Sequence, residues 1–203
     1  MATRDRAPTA LPIATAITLL AALLRFLYLG HDSLWFDEVL TRGTAVASLA
    51  SPAAALAMRD HVPLLYWLTA LVLRVLPEHE VTLRLVSALA GVLAVPLLLA
   101  LGRAARLPAA GRWAALLLAV SPFHIRYSQE ARHYALLLFF SLLALYWLYR
   151  ATAAGACGDR RAGRIWLAFA AATVANLLTH YSAWLWLVGQ GVAVALWLAW
   201  RAR

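Results

Sequence analysis

Apolar and polar positions along this chain alternate in blocks rather than residue by residue. Clear apolar runs occupy residues 9–29, 82–102, 133–150, 164–180 and 183–200. A weaker one, with Arg112 near one end and Pro122 near the other, covers 108–126. Runs of this length without period-two alternation predict helices, and about 20 apolar residues of helix match a hydrocarbon core of about 30 Å. The stretch VPLLYWLTALVLRVL, residues 62–76, is shorter and reaches only about 22 Å as a helix. Arg74 lies inside it, and Arg59, Asp60 and His61 block its extension upstream.

The arginines decide whether 62–76 crosses, because short cytoplasmic loops collect positive charge. If it does not cross, Arg4 and Arg6, Arg103/Arg106/Arg112, Arg150/Arg160/Arg161/Arg164 and Arg201/Arg203 share one face. Against these stand only Asp5 and Asp159, while on the other face the remaining arginines and acids cancel. If it crosses, the three later clusters move outside. The pattern therefore predicts an all-α, polytopic bundle of six transmembrane helices with both termini cytoplasmic. Residues 62–76 become an interfacial or re-entrant helix, with Tyr66 and Trp67 at headgroup level. The first outer segment, 30–81, carries short juxtamembrane helices. The second lies around 124–132, and the third is the turn LTHYSA.

Composition strengthens this reading. The chain of 203 residues is 64% hydrophobic and 13% charged, with mean hydropathy +0.75, whereas a soluble domain is about half apolar and a quarter charged. The net charge is +9 and all 18 basic residues are arginine. They lie between apolar runs and form no basic domain, which excludes nucleic acid as a partner. The one cysteine, Cys157, rules out an internal disulfide or a Cys-based metal cluster. The first apolar run ends in LLRFLYLG, a poor cleavage site, and reads as a retained signal anchor in which Arg25 snorkels.

The candidate chemistry gathers on the outer face. HDSLWFDEVL, residues 31–40, sets Asp32, Asp37 and Glu38 beside Trp35 and Phe36 directly after the first crossing. SPFHIRYSQEARHY, residues 121–134, gathers His124, Arg126, Tyr127, Gln129, Glu130, Arg132, His133 and Tyr134. His180 and Tyr181 come from the third turn, Arg84 opens the second crossing, and His61 precedes the interfacial helix. Ionisable groups are costly at membrane depth and less so near the interface. A site there suits a lipid-linked substrate: a carboxylate can take a proton from an acceptor hydroxyl, arginines can hold a phosphate leaving group, and aromatics can stack on a sugar.

LWFDE and SPFHIRYSQEARHYALL, with LRLVSALAGVLAVPLLLALGR and NLLTHYSAWLWLVGQ in support, resemble bacterial members of the protein O-mannosyltransferase-like superfamily. The resemblance covers roughly residues 10–200 and implies a GT-C membrane fold. It also implies an inverting glycosyltransferase that takes its sugar from a polyprenyl phosphate. By motif match the essential acid of the first outer loop falls on Asp37, with Glu38 beside it. Glu130 is a second acidic position. Arg132 and Arg84 are the phosphate candidates on chemical grounds, and His61, Gln129, Tyr127, His180 and Tyr181 complete the expected substrate-binding set. The expected partners are a polyprenyl-phosphate-sugar donor, membrane lipids and a lipid, glycan or protein acceptor, in a bacterial inner membrane. No metal ligand set and no cofactor is expected. Members of the superfamily are longer, so residues 1–203 are expected to be one transmembrane domain, the N-terminal half of such an enzyme. A transporter or flippase, and a non-catalytic lipid-binding paralogue, stay open as alternatives. Local structure offers simpler roles too: Asp32 or Ser33 can cap a short helix, and Glu130 can pair with Arg126 or Tyr134 at helical spacing.

Overall fold

The computed structural model describes residues 10–57, 62–156 and 160–201. Among these residues every regular element is helical. In chain order they are α1 (Ala10–Phe26), α2 (Phe36–Ala50), a 3₁₀ turn (Pro52–Leu56), α3 (Leu64–Leu73) and α4 (Glu80–Ala104). Then come α5 (Pro108–Val120), α6 (Pro122–Ser128), α7 (Tyr134–Ala156), α8 (Ala162–Leu177) and α9 (Ala183–Arg201). Apart from α2 and the 3₁₀ turn, the helices fall within or around the apolar runs. Two of them, α4 and α7, are long and apolar enough to cross a membrane; α1, α3, α5, α8 and α9 are shorter apolar helices by the same measure. At 1.5 Å per residue, the 25 residues of α4 span about 37 Å.

Helix α4 is the central element, packed against α1, α3, α5, α6 and α7. Two apolar cores flank it. Ile17, Ala21, Val95, Leu99, Ala115 and Ala119 join α1, α4 and α5. Leu65, Val86, Ala90, Ala135 and Leu136 join α3, α4 and α7. The small residues let backbones approach, as expected where lipid supplies no hydrophobic drive between helices. α4 crosses α5 closely: a Cβ built on Gly102 would stand 2.5 Å from the Gly111 Cα.

Two local expectations change. The run 108–126 is not one helix. It breaks at Ser121, because Pro122 biases its predecessor toward extended backbone and then starts α6 at its first position. Arg25 does not snorkel: it is fully buried. Its Nη1 donates to the carbonyls of Ala21 (3.1 Å) and Ala119 (3.0 Å), and its Nη2 to that of Leu118 (2.9 Å). A fourth bond joins Nη2 to Nδ1 of His124 at 2.7 Å. A guanidinium can only donate, so this imidazole is neutral with its proton on Nε2. Arg25 thus ties α1 to the carboxyl end of α5 and to α6, bonding carbonyls of the last turn of α5.

Candidate active site

At one end of the bundle the α1–α2 connection, the α6–α7 turn and the α8–α9 turn come together around the start of α4. The stretch WFDE opens α2, with Trp35 at the N-cap position rather than Asp32 or Ser33. Asp32 instead lies exposed, 3.1 Å from Nδ1 of His31. Asp37 and Glu38 occupy the first turn of α2, where the helix dipole favours carboxylates.

Glu38 and Arg84 form a buried pair, with Glu38 0% exposed. Arg84 donates from Nε to Glu38 Oε1 and from Nη2 to Oε2, each at 2.8 Å. Its Nη1 reaches the carbonyls of Leu29 and Asp32, each at 2.9 Å, and Nη2 also reaches Ser33 at 3.3 Å. These contacts occupy all five N–H groups of a guanidinium. Glu38 Oε1 accepts further from the Ala131 N–H at 2.7 Å, and Oε2 from the Trp35 N–H at 3.4 Å. Both residues are among the expected site residues. Arg84 has no donor left for a phosphate, and Glu38 has no oxygen open to a substrate proton. Together they fasten the α1–α2 connection to α4 and to the α6–α7 turn.

That turn, residues 129–133, is anchored at three points. The Gln129 amide donates to the carbonyls of Leu24 (3.2 Å), Arg25 (3.4 Å) and Leu27 (2.7 Å), capping α1. The Gln129 amide nitrogen is therefore engaged by backbone carbonyls. The Ala131 N–H is held by Glu38, and the Arg132 carbonyl accepts from Ser87 Oγ at 2.8 Å. The alternate side chains Glu130 and Arg132 are carried by this fixed backbone.

Arg132 meets Asp37, with Nη1 to Oδ2 at 3.1 Å. The arginine side chain is 11% exposed and the aspartate 29%, so the carboxylate is the more open partner. The guanidinium carbon lies 5.8 Å from the Trp35 ring centre and 5.6 Å from that of Tyr134. Its buried Nε has no hydrogen-bond partner among the described residues. Tyr66 of α3 is buried and close enough to sense both charges. Tyr66 and Trp35 are thus neighbours of the pair, although neither is among the expected site residues. A stacking list cannot be drawn from sequence when the rings come from segments about a hundred residues apart.

Glu130, 14% exposed, pairs with Arg126 at 3.2 Å, the helical-spacing contact that the sequence permits. An aromatic row runs from Phe123 through Tyr127 to Tyr134, with ring centres 4.6 and 4.7 Å apart. His133 stacks on His180 at 4.4 Å, which brings the α8–α9 turn to the same end. The Ser182 N–H donates to His180 Nδ1 at 3.0 Å. Tyr181 is half exposed beside it. His61 lies outside the described residues. Among those described, no group of three or more His, Cys, Asp or Glu is placed to hold a metal ion.

The fold and site define a helical membrane protein with one carboxylate and one arginine set among aromatics at the end of its bundle. The chain belongs to the dolichyl-phosphate-mannose-protein mannosyltransferase family, whose model matches residues 60–203. The family is membrane-integral and its activity is glycosyl transfer from a polyprenyl-phosphate sugar. The matched segment contains Arg84, Glu130 and Arg132, while Asp37 and Glu38 precede it. No curated protein and no solved structure matches the chain.

Proposed function

We propose that this protein moves a sugar from a polyprenyl phosphate to an acceptor hydroxyl at the extracytoplasmic face of a bacterial inner membrane. The observation that carries this reading is the Asp37–Arg132 pair, held among Trp35, Tyr134 and Tyr66 by a buried framework. The acceptor oxygen attacks C1 of the sugar, the C1–O bond to phosphate breaks, and the anomeric configuration inverts. Asp37 takes the acceptor proton, and polyprenyl phosphate leaves with its charge matched by Arg132. The guanidinium rests on Asp37. Donor phosphate competes for that guanidinium and releases the carboxylate for its role as base. Glu130 positions the acceptor, while Tyr127, Tyr134, His180 and Tyr181 border the sugar. Six crossings and cytoplasmic termini put this end of the bundle outside.

Asp37→Asn keeps the shape and removes the proton acceptor. Transfer of labelled sugar from a polyprenyl-phosphate sugar in membranes is expected to fall by about 10²-fold or more. Unchanged transfer at normal expression excludes Asp37 as the base. Arg132→Gln is expected to raise the donor KM, because the phosphate is held in the ground state, and to lower kcat, because charge grows on it as the C1–O bond breaks.

A further inference from the structure

The aromatic row leads away from the Asp37–Arg132 pair. The Arg132 guanidinium lies 5.6 Å from the Tyr134 ring centre, the Tyr127 ring follows 4.7 Å further on, and the Phe123 ring another 4.6 Å beyond it. The chemistry at Asp37 uses nothing at the far end, yet Phe123 is 73% exposed there. Phe123, Arg126 and Tyr127 stand three and four positions apart on α6, so they share one face of that helix. Arg126 bonds Glu130 Oε1 through Nε alone, and its side chain is 78% exposed. Its two Nη groups, and Oε2 of Glu130, have no hydrogen-bond partner among the described residues. The strip therefore offers ring faces, open donors and an open acceptor side by side.

Three kinds of ligand can be weighed against it. A lipid tail covers the rings but leaves a carboxylate and a guanidinium against hydrocarbon. A phosphate suits Arg126 but is repelled by Glu130 beside it. A neutral sugar suits every part: its C–H face lies on an aromatic ring, and its hydroxyls donate to the carboxylate and accept from the guanidinium. On the reading that Asp37 is the base for glycosyl transfer, we infer that Phe123, Tyr127 and the Arg126–Glu130 pair form a subsite for a neutral sugar unit of the acceptor. The acceptor is then a carbohydrate chain. Its terminal sugar presents a hydroxyl to Asp37 past Tyr134, and the preceding sugar lies on Tyr127 and Phe123. Chain length acts on acceptor binding and leaves the chemical step alone.

The test uses the full chain in membranes, with labelled polyprenyl-phosphate mannose as donor. The acceptors are mannose, a linear mannotriose, a threonine-containing peptide and diacylglycerol. Mannotriose is expected to show a KM about tenfold or more below that of mannose. Phe123→Leu and Arg126→Gln are each expected to raise the mannotriose KM by about tenfold, with kcat and the mannose KM unchanged. Phe123→Trp keeps a ring face and is expected to hold the mannotriose KM. Equal KM values for the two sugars overturn the inference. So does a Phe123→Leu variant that takes mannotriose as well as the native chain, because an apolar contact then suffices. Transfer to the peptide or to diacylglycerol but to neither sugar also overturns it, while leaving glycosyl transfer at Asp37 standing. Absence of transfer to all four acceptors instead counts against that transfer itself, and the subsite falls with it.

Discussion

At the scale of single residues, the proposed mechanism divides the acids of WFDE between chemistry and scaffold. Asp37 and Glu38 are adjacent, and helical geometry turns adjacent side chains about 100° apart. One therefore faces the opening toward Arg132, while the other points inward to Arg84. Removing one member of a buried ion pair strands the other charge, at a cost of roughly 3–5 kcal/mol. Glu38→Ala and Arg84→Ala are each expected to lower the thermal midpoint in detergent markedly and to abolish transfer. Glu38→Leu combined with Arg84→Met is expected to recover most of the midpoint, since no charge is left stranded. Transfer should stay low in that double variant, because the α6–α7 turn loses its bond at the Ala131 N–H. A double variant as unstable as the single ones would show that the pair acts by another route.

At the scale of elements, the apolar runs gave the helices because a run of helical length without alternation leaves one solution. The boundary at Pro122 was passed over inside the run 108–126, although the proline ends one helix there and begins the next. The partners of charges were not legible. Arg25 and Arg84 look like snorkelling or substrate-binding cations in a linear reading. Only the packing shows that carbonyls freed by helix ends, and a carboxylate 46 positions away, absorb their donors. Helix contacts were equally silent, since Gly102 and Gly111 look like any other glycines until α4 crosses α5. There a Cβ on either residue falls within 2.8 Å of the other Cα. Gly111→Ala is expected to destabilise by about 1–3 kcal/mol through forced separation of the helices. Gly163→Ala in α8, where a Cβ meets nothing within 4 Å, is expected to be neutral or stabilising by up to about 1 kcal/mol. Thermal unfolding of the two variants side by side checks the contrast.

At the scale of the whole molecule, the placement of the site depends on which way the bundle stands in the bilayer. The α1–α2, α6–α7 and α8–α9 connections join at the end where α4 begins, and the α4–α5 connection lies where α4 finishes. A helix of about 37 Å exceeds the hydrocarbon core, so these two ends stand on opposite sides if α4 spans. In the proposed topology the α4–α5 connection, with Arg103 and Arg106, is cytoplasmic. Asp32 and Leu107 are suited to report on the two ends, because both side chains are exposed. With Cys157 replaced by Ser, Asp32→Cys is expected to react with a membrane-impermeant maleimide in intact spheroplasts. Leu107→Cys should react only after the membrane is opened. Labelling of both from the same side would mean that α4 does not cross. The reverse pattern would put Asp37 and Arg132 in the cytoplasm, where the positive-inside rule does not place them, and would exclude an extracytoplasmic acceptor whatever the chemistry of the pair.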